Sequence, residues 1–249
     1  MSVNKLYKTV RAEDAALFTL SFLWICVIIH SVFTVFMPLP DGDAAASAGG
    51  ETAPVLILDP GHGGADGGAI APDGTPESAL NLSVSLRIRD LCAFLGVDTV
   101  MTRESEELAY PVEAKTIAAM KKWDTRRRVE LAESLEKAVF LSIHQNIYPA
   151  SGPHGAQVLY APNEPSRALA ETMQTQLASA LFPENRRVPV PAGKDIYILS
   201  HVRCTAVLVE CGFLSNPQEL SLLQSADYQK KIASVLTACY LQSMEDGIV

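Results

Sequence analysis

Three short runs limit this chain to few architectures: "VLILDP" (Val55–Pro60), "AVFLSIH" (Ala138–His144) and "AVLVE" (Ala206–Glu210). Each opens with four consecutive apolar residues instead of alternating apolar and polar ones, the pattern of a strand covered on both faces. Helix signals fill the stretches between them. Thr75-Pro76-Glu77 predicts a start, with Thr75 as N-cap and Pro76 at the first helical position. Leu80, Val84, Ile88 and Leu91 carry that helix onward. Further helices are expected over Thr125–Leu135, Pro165–Leu181, Pro217–Leu223 and Tyr228–Met244, and further strands over Val97–Arg103 and Ala156–Ala161. This alternation predicts one α/β domain, a mainly parallel twisted sheet of about six strands with helices on both faces. The 249 residues hold one such domain and an appendage.

The appendage is N-terminal. Residues 15–37, "AALFTLSFLWICVIIHSVFTVFM", carry no Asp, Glu, Lys or Arg. A helix needs about 20 such residues to cross a bilayer. Lys5, Lys8 and Arg11 precede the run, and no Lys or Arg follows until Arg87, so the positive-inside rule places residues 1–14 in the cytoplasm and the rest outside. A cleavable signal is the alternative: its apolar region is shorter, about 7–15 residues, but "DAAASAGG" (Asp43–Gly50) offers small residues for cleavage. Either way the domain is exported, membrane-anchored or secreted. Residues 38–53 then form a linker of small and acidic residues, and residues 54–249 the folded domain.

The strand ends carry the chemistry. His62 lies four residues beyond its strand's last apolar residue, in the glycine-rich "GHGGADGG", while His144 and Glu210 close theirs. Ligands of open α/β sheets bind beyond the carboxyl ends of the strands, so these residues can meet at one rim. Glu77, in the first turn of a helix, can point back to it. Taken singly, each has an ordinary explanation. The glycines make a turn, His144 is a hydrogen-bonded buried histidine, and Glu77 favours a helix N-terminus. Glu210 is harder to dismiss, because an unpaired carboxylate after an apolar run is costly to bury. Together, two histidines and two carboxylates match the inventory of a catalytic zinc site: three ligands, a free position for water, and a carboxylate to act as base.

These same stretches are where a resemblance becomes specific. "ILDPGHGGADGGA", Glu77 with "SALNL", "FLSIHQN" and "VLVECGFLSN" resemble, in order, the signatures of the zinc-dependent N-acetylmuramoyl-L-alanine amidases. "VMTRES" (Val100–Ser105) and "RVELAE" (Arg128–Glu133) also match positions of that family, and the likeness covers residues 55–243. The one-domain layout with an N-terminal anchor is most similar to the sporulation-type members, which act in making the muramic lactam of spore cortex. The resemblance implies zinc (Zn2+) held by His62, Glu77 and His144, with Glu210 as catalytic glutamate. It also implies a muramoyl-peptide of peptidoglycan as substrate, cut between muramic acid and L-alanine. The chain carries no wall-binding repeat, so targeting falls to the anchor or to a protein activator or targeting partner.

Some residues depart from the family pattern. Gln145 and Ile147 replace small residues beside His144, which predicts a narrower cleft or an added donor to substrate. Cys211 follows Glu210 where Leu or Ile is usual, and Thr205 replaces a common proline. His154 and His201 are expected in loops, and the run Arg126–Arg128 on a solvated helix face with one member turned inward. Cys204 and Cys211 flank a strand of about 23 Å at 3.3 Å per residue, far beyond the roughly 4.4–6.8 Å between Cα atoms that a disulfide spans. The five cysteines therefore suggest buried thiols. A net charge of -8 gives no basic footprint for nucleic acid. Two other classes stay open: another zinc hydrolase of the wall (a carboxypeptidase or sugar deacetylase), and a non-catalytic wall-binding protein.

Overall fold

The computed structural model describes residues 53–249. Its strands are β1 (Val55–Pro60), β2 (Thr99–Met101), β3 (Ala138–Asn146), β4 (Gln157–Tyr160), β5 (Val190–Pro191) and β6 (Thr205–Phe213). Its helices are α1 (Glu77–Phe94), α2 (Ile117–Ser134), α3 (Glu164–Leu181), α4 (Tyr197–His201), α5 (Pro217–Leu223) and α6 (Ala226–Glu245). One sheet holds all six strands in the order β2-β1-β3-β6-β4-β5. The sheet is mixed: β2, β1, β3 and β6 are parallel neighbours, while β4 runs antiparallel to β6 and carries β5 parallel to itself. The expected span over 15–37, like the tail and most of the linker, lies outside the described residues. Among the described residues no helix is long and apolar enough to cross a membrane.

The apolar runs supply both faces of the sheet, since successive strand residues point to opposite sides. Leu56, Leu58, Val139, Leu141, Ile143, Val207 and Val209 join the cluster that also buries Val84 and Ile88 of α1, Met173 and Leu177 of α3, and Ile232 and Leu236 of α6. Ile57, Phe140, Ala206 and Leu208 join the cluster on the other face, with Ala132 of α2 and Leu199 of α4.

Several boundaries differ from the sequence expectation. Helix α1 starts at Glu77, and Pro76 takes the cap position without a side-chain bond. The reason lies in the glycine loop. The Glu77 and Ser78 amides donate to Ala69 and Gly67 carbonyls at 2.8 and 3.1 Å, so the loop replaces Thr75 as cap. Helix α2 starts eight residues earlier than expected, with Thr116 Oγ1 accepting from Ala119 N at 3.2 Å. Only Arg128 and Ala132 of α2 are buried, so no apolar stripe marks its first turns. Strand β2 is shorter than Val97–Arg103. Val97 N donates to Cys92 O at the end of α1, and Arg103 turns inward. Strands β3 and β6 run on past His144 and Glu210, with a register shift between His144 and Asn146. The short β5 and α4 were not legible in the sequence.

Candidate metal centre

His144 and Glu210 are register partners on β3 and β6, and Ile143 O accepts from Gly61 N at 2.9 Å, which brings the glycine loop over them. The loop must come close. A Cβ on Gly61 would sit 2.2 Å from His144 Nε2, and one on Gly68 (φ +71°) 2.6 Å from Glu77 Oε2. Glycine at these two positions lets backbone pass where a side chain has no room.

The result is a three-sided cluster. Glu77 Oε1 lies 2.9 Å from His144 Nδ1, and Glu77 Oε2 lies 3.3 Å from His62 Nε2. One ligand atom from each of the three residues falls within 4.8 Å of the others, and among the described residues this is the group of His, Cys, Asp and Glu able to hold an ion. Ligand atoms of a tetrahedral zinc site, with bonds of roughly 2.0–2.1 Å, stand about 3.3 Å apart. Glu77 is 4% exposed and both imidazoles 17%, so one side stays open to solvent.

Each member is held from behind. Asp66 Oδ2 lies 2.9 Å from His62 Nδ1 and 3.0 Å from Lys121 Nζ. A carboxylate on the far nitrogen of a ligand histidine fixes its tautomer and ring direction. The Glu77 carboxylate accepts from Gln145 N, Ala69 N and Asn81 Nδ2 at 3.0–3.2 Å. Burial pushes its pKa up. The hydrogen bond and charge of His144, with the charge of His62, outweigh that and bring it down to about 2. His144 moves the other way: burial alone would lower its pKa, but Glu77 and Glu210 raise it.

Glu210 is different in kind. Part of the residue reaches solvent, but its Oε2 is sealed and has no hydrogen-bond partner. Burial is the main cause that lifts its pKa to about 7; His144 opposes the rise and Glu77 adds to it. A buried, unpartnered carboxylate oxygen beside His144 and a second carboxylate fits a site built around a cation and a water molecule.

Other sequence candidates fall elsewhere. Gln145 does not narrow the cleft; it is 3% exposed and donates Nε2 to Asn81 Oδ1 at 3.2 Å. Following His144 on the strand, it points to the opposite face, the one that α1 covers. Ile147 is 47% exposed, and Cys211 belongs to the opposite apolar cluster. Cys92, Cys204, Cys211 and Cys239 are free thiols, Cys204 only partly buried. His154 sits in an exposed loop against Phe182; His201 ends α4, stacked on Tyr197, instead of lying in a loop. Arg128 is the inward member of its run, at 4% exposure. Sequence reading missed Asp66, although it lies within the glycine loop four residues from His62.

Comparison with known proteins gives the family. A family profile described as N-acetylmuramoyl-L-alanine amidase matches residues 56–239. The germination-specific N-acetylmuramoyl-L-alanine amidase of Bacillus subtilis (strain 168) is 38% identical over 184 residues, 72% of this chain and 75% of that one. Among solved structures, the CwlD amidase from Clostridioides difficile in complex with the GerS lipoprotein superposes with a TM-score of 0.74. It is 33% identical, over 78% of this chain and 99% of that one. The amidase AmiC2 of Nostoc punctiforme superposes with a TM-score of 0.66 at 26% identity, over 79% of this chain and 99% of that one.

Proposed function

The chain belongs to the N-acetylmuramoyl-L-alanine amidase family, and on that premise we propose that His62, Glu77 and His144 hold zinc while Glu210 serves as catalytic base. The reaction is hydrolysis of the amide joining N-acetylmuramic acid to L-alanine. The observation that carries the proposed roles is the sealed, unpartnered Oε2 of Glu210, on the strand position paired with His144 of a histidine–carboxylate–histidine cluster. Zinc supplies a Lewis acid that polarises the scissile carbonyl and lowers the pKa of a water. The protein residues do the rest. Glu210, tuned near neutrality, takes the proton of the attacking water and delivers it to the departing L-alanine nitrogen. The C–O bond forms, the C–N bond breaks, and Glu210 returns to its starting state. Asp66 and Asn81 keep the His62 ring and the Glu77 carboxylate in place.

Two relatives support a reading of the biological setting. One is named germination-specific, and the other was solved with a lipoprotein. We propose that this chain acts on spore cortex with a comparable protein partner, outside the cytoplasm, tethered by residues 15–37 or released after their cleavage. Its layout is then a cytoplasmic tail (1–14), span, linker (38–53) and zinc amidase domain (54–249).

Digestion of purified peptidoglycan tests the activity and the metal together. Free stem peptides beginning at L-alanine are expected, and a chelator stops their release until zinc is returned. Loss of terminal D-alanine would instead indicate a carboxypeptidase, acetate release a deacetylase, and chelator-insensitive cleavage would end the zinc proposal. A reporter fused after residue 53 is expected to be active only in its exported form; activity confined to the cytoplasm reverses the topology.

A further inference from the structure

His62 is the one non-glycine residue with positive φ among the described residues, at +60°. That region is rarely occupied by side-chain-bearing residues and persists where surroundings impose it. Two peptide planes flank the His62 Cα and set the direction of its Cβ. The plane before it carries the Gly61 carbonyl, and the plane after it carries its own.

Each plane is gripped by a different buried arginine. Arg128, on α2, donates Nη2 to His62 O at 2.7 Å and Nη1 to Pro60 O at 2.9 Å. Its remaining donors go to Asp59 Oδ1 (2.7 Å) and to Asp124 Oδ2 (2.6 Å from Nη2, 3.0 Å from Nε). Arg103, just past β2, donates Nη2 to Gly61 O at 3.1 Å and Nε to Pro60 O at 3.0 Å. The same Nη2 reaches Ser78 O at 2.8 Å, in the turn of α1 that carries Glu77. Its Nη1 bonds Ser105 O and Glu106 Oε1, both at 3.0 Å. Arg103 thus spends its five N–H groups on five acceptor atoms, and Arg128 its five on four, Asp124 Oδ2 taking two. Three successive carbonyls, Pro60 to His62, receive four of those bonds.

We propose that Arg103 and Arg128 are positioning residues that hold His62 in its left-handed conformation and so pre-form the metal centre. The proposal rests on His62 being a zinc ligand. Arg103 also ties the turn bearing Glu77 to the loop bearing His62, so the two ligands are set relative to each other by one side chain. Lysine cannot replace either residue, because a single ammonium lacks the planar fork that spans separated acceptors.

The test is zinc affinity, measured by competition with a chromophoric chelator on purified R128K and on D124N. R128K keeps a cation beside Asp59 but cannot reach both His62 O and Asp124. Its zinc Kd is expected to rise about 10–100-fold, the usual cost of losing an outer partner of a metal ligand. D124N takes the charge from the lateral brace, keeps the Asp59–Arg128 pair, and is expected to raise the Kd several-fold. It also decides the matter should R128K fail to fold. A purely structural role would lower the melting temperature of the zinc-free protein and leave zinc Kd within twofold in both variants, which overturns the proposal. The parent and His144→Ala serve as controls: if His144→Ala binds zinc like the parent, the ligand assignment itself fails, separately from the arginines.

Discussion

Glu210→Gln is expected to give a folded protein that retains zinc and hydrolyses muropeptide about 10²–10⁴-fold more slowly than the parent, the usual loss when a general base is removed. The amide keeps the shape of the side chain but has no proton affinity near neutral pH. Zinc stays because the three proposed ligands are intact. The fold stays because a neutral group at this position costs less to desolvate than a carboxylate. Stability gives a second readout in the zinc-free protein. The Glu210 pKa is raised from 4.5 to about 7 by burial, so between those values the folded state binds more protons than the unfolded one. Stability from this group is therefore full below pH 4.5 and is lost as pH rises through 7, up to about 3 kcal/mol at 1.36 kcal/mol per pH unit. Glu210→Gln removes that slope. Thermal melts of zinc-free parent and variant at pH 5 and pH 8 should converge at the lower pH and separate at the higher, with the variant more stable. Near-normal turnover in the variant would falsify the role of Glu210, and loss of zinc would make it a ligand.

His144→Ala removes a different function. His144 lies 2.9 Å from Glu77, in a cluster whose ligand atoms fall within 4.8 Å of one another. Without the imidazole, two protein ligands remain, and Glu77 loses the contact that most strongly lowers its pKa. Zinc and activity should disappear together, to background turnover and a metal content well below one ion per chain. Metal analysis that finds full occupancy would remove His144 from the ligand set. The two variants thus separate binding from catalysis: Glu210→Gln keeps the metal and loses the rate, whereas His144→Ala loses both.

How much of this was legible in the chain depends on how local each signal is. The runs at Val55, Ala138 and Ala206 announce buried strands because four consecutive apolar residues are satisfied only when both faces are covered, and the structure covers both. His62, Glu77, His144 and Glu210 could be picked out because strand ends of an α/β sheet converge at one rim, so a polar residue closing an apolar run has a defined place to go. Ordering within that rim was not legible. The start of α1 at Glu77 is set by carbonyls of the glycine loop, not by the Thr75 side chain, and those bonds exist only once the loop has folded back. The first turns of α2 carry no apolar stripe, so their periodicity is silent. Strand alternation turns Gln145 away from the His144 face, but its partner there, Asn81, is set by the packing of α1 against the sheet. Arg103 and Arg128 sit 41 and 66 residues from His62 in sequence, and only the packing of β2 and α2 against β1 lays their guanidinium groups on its backbone. The sequence by itself determined the buried strands β1, β3 and β6, the α/β class and the chemical inventory of the rim, but not the antiparallel β4 that makes the sheet mixed, because burial and side-chain type are properties of short segments and strand direction is not. Only the tertiary structure decided which carbonyl each arginine grips, what Gln145 bonds and why Glu210 has no partner, because hydrogen-bond partners are settled by neighbours distant in the chain.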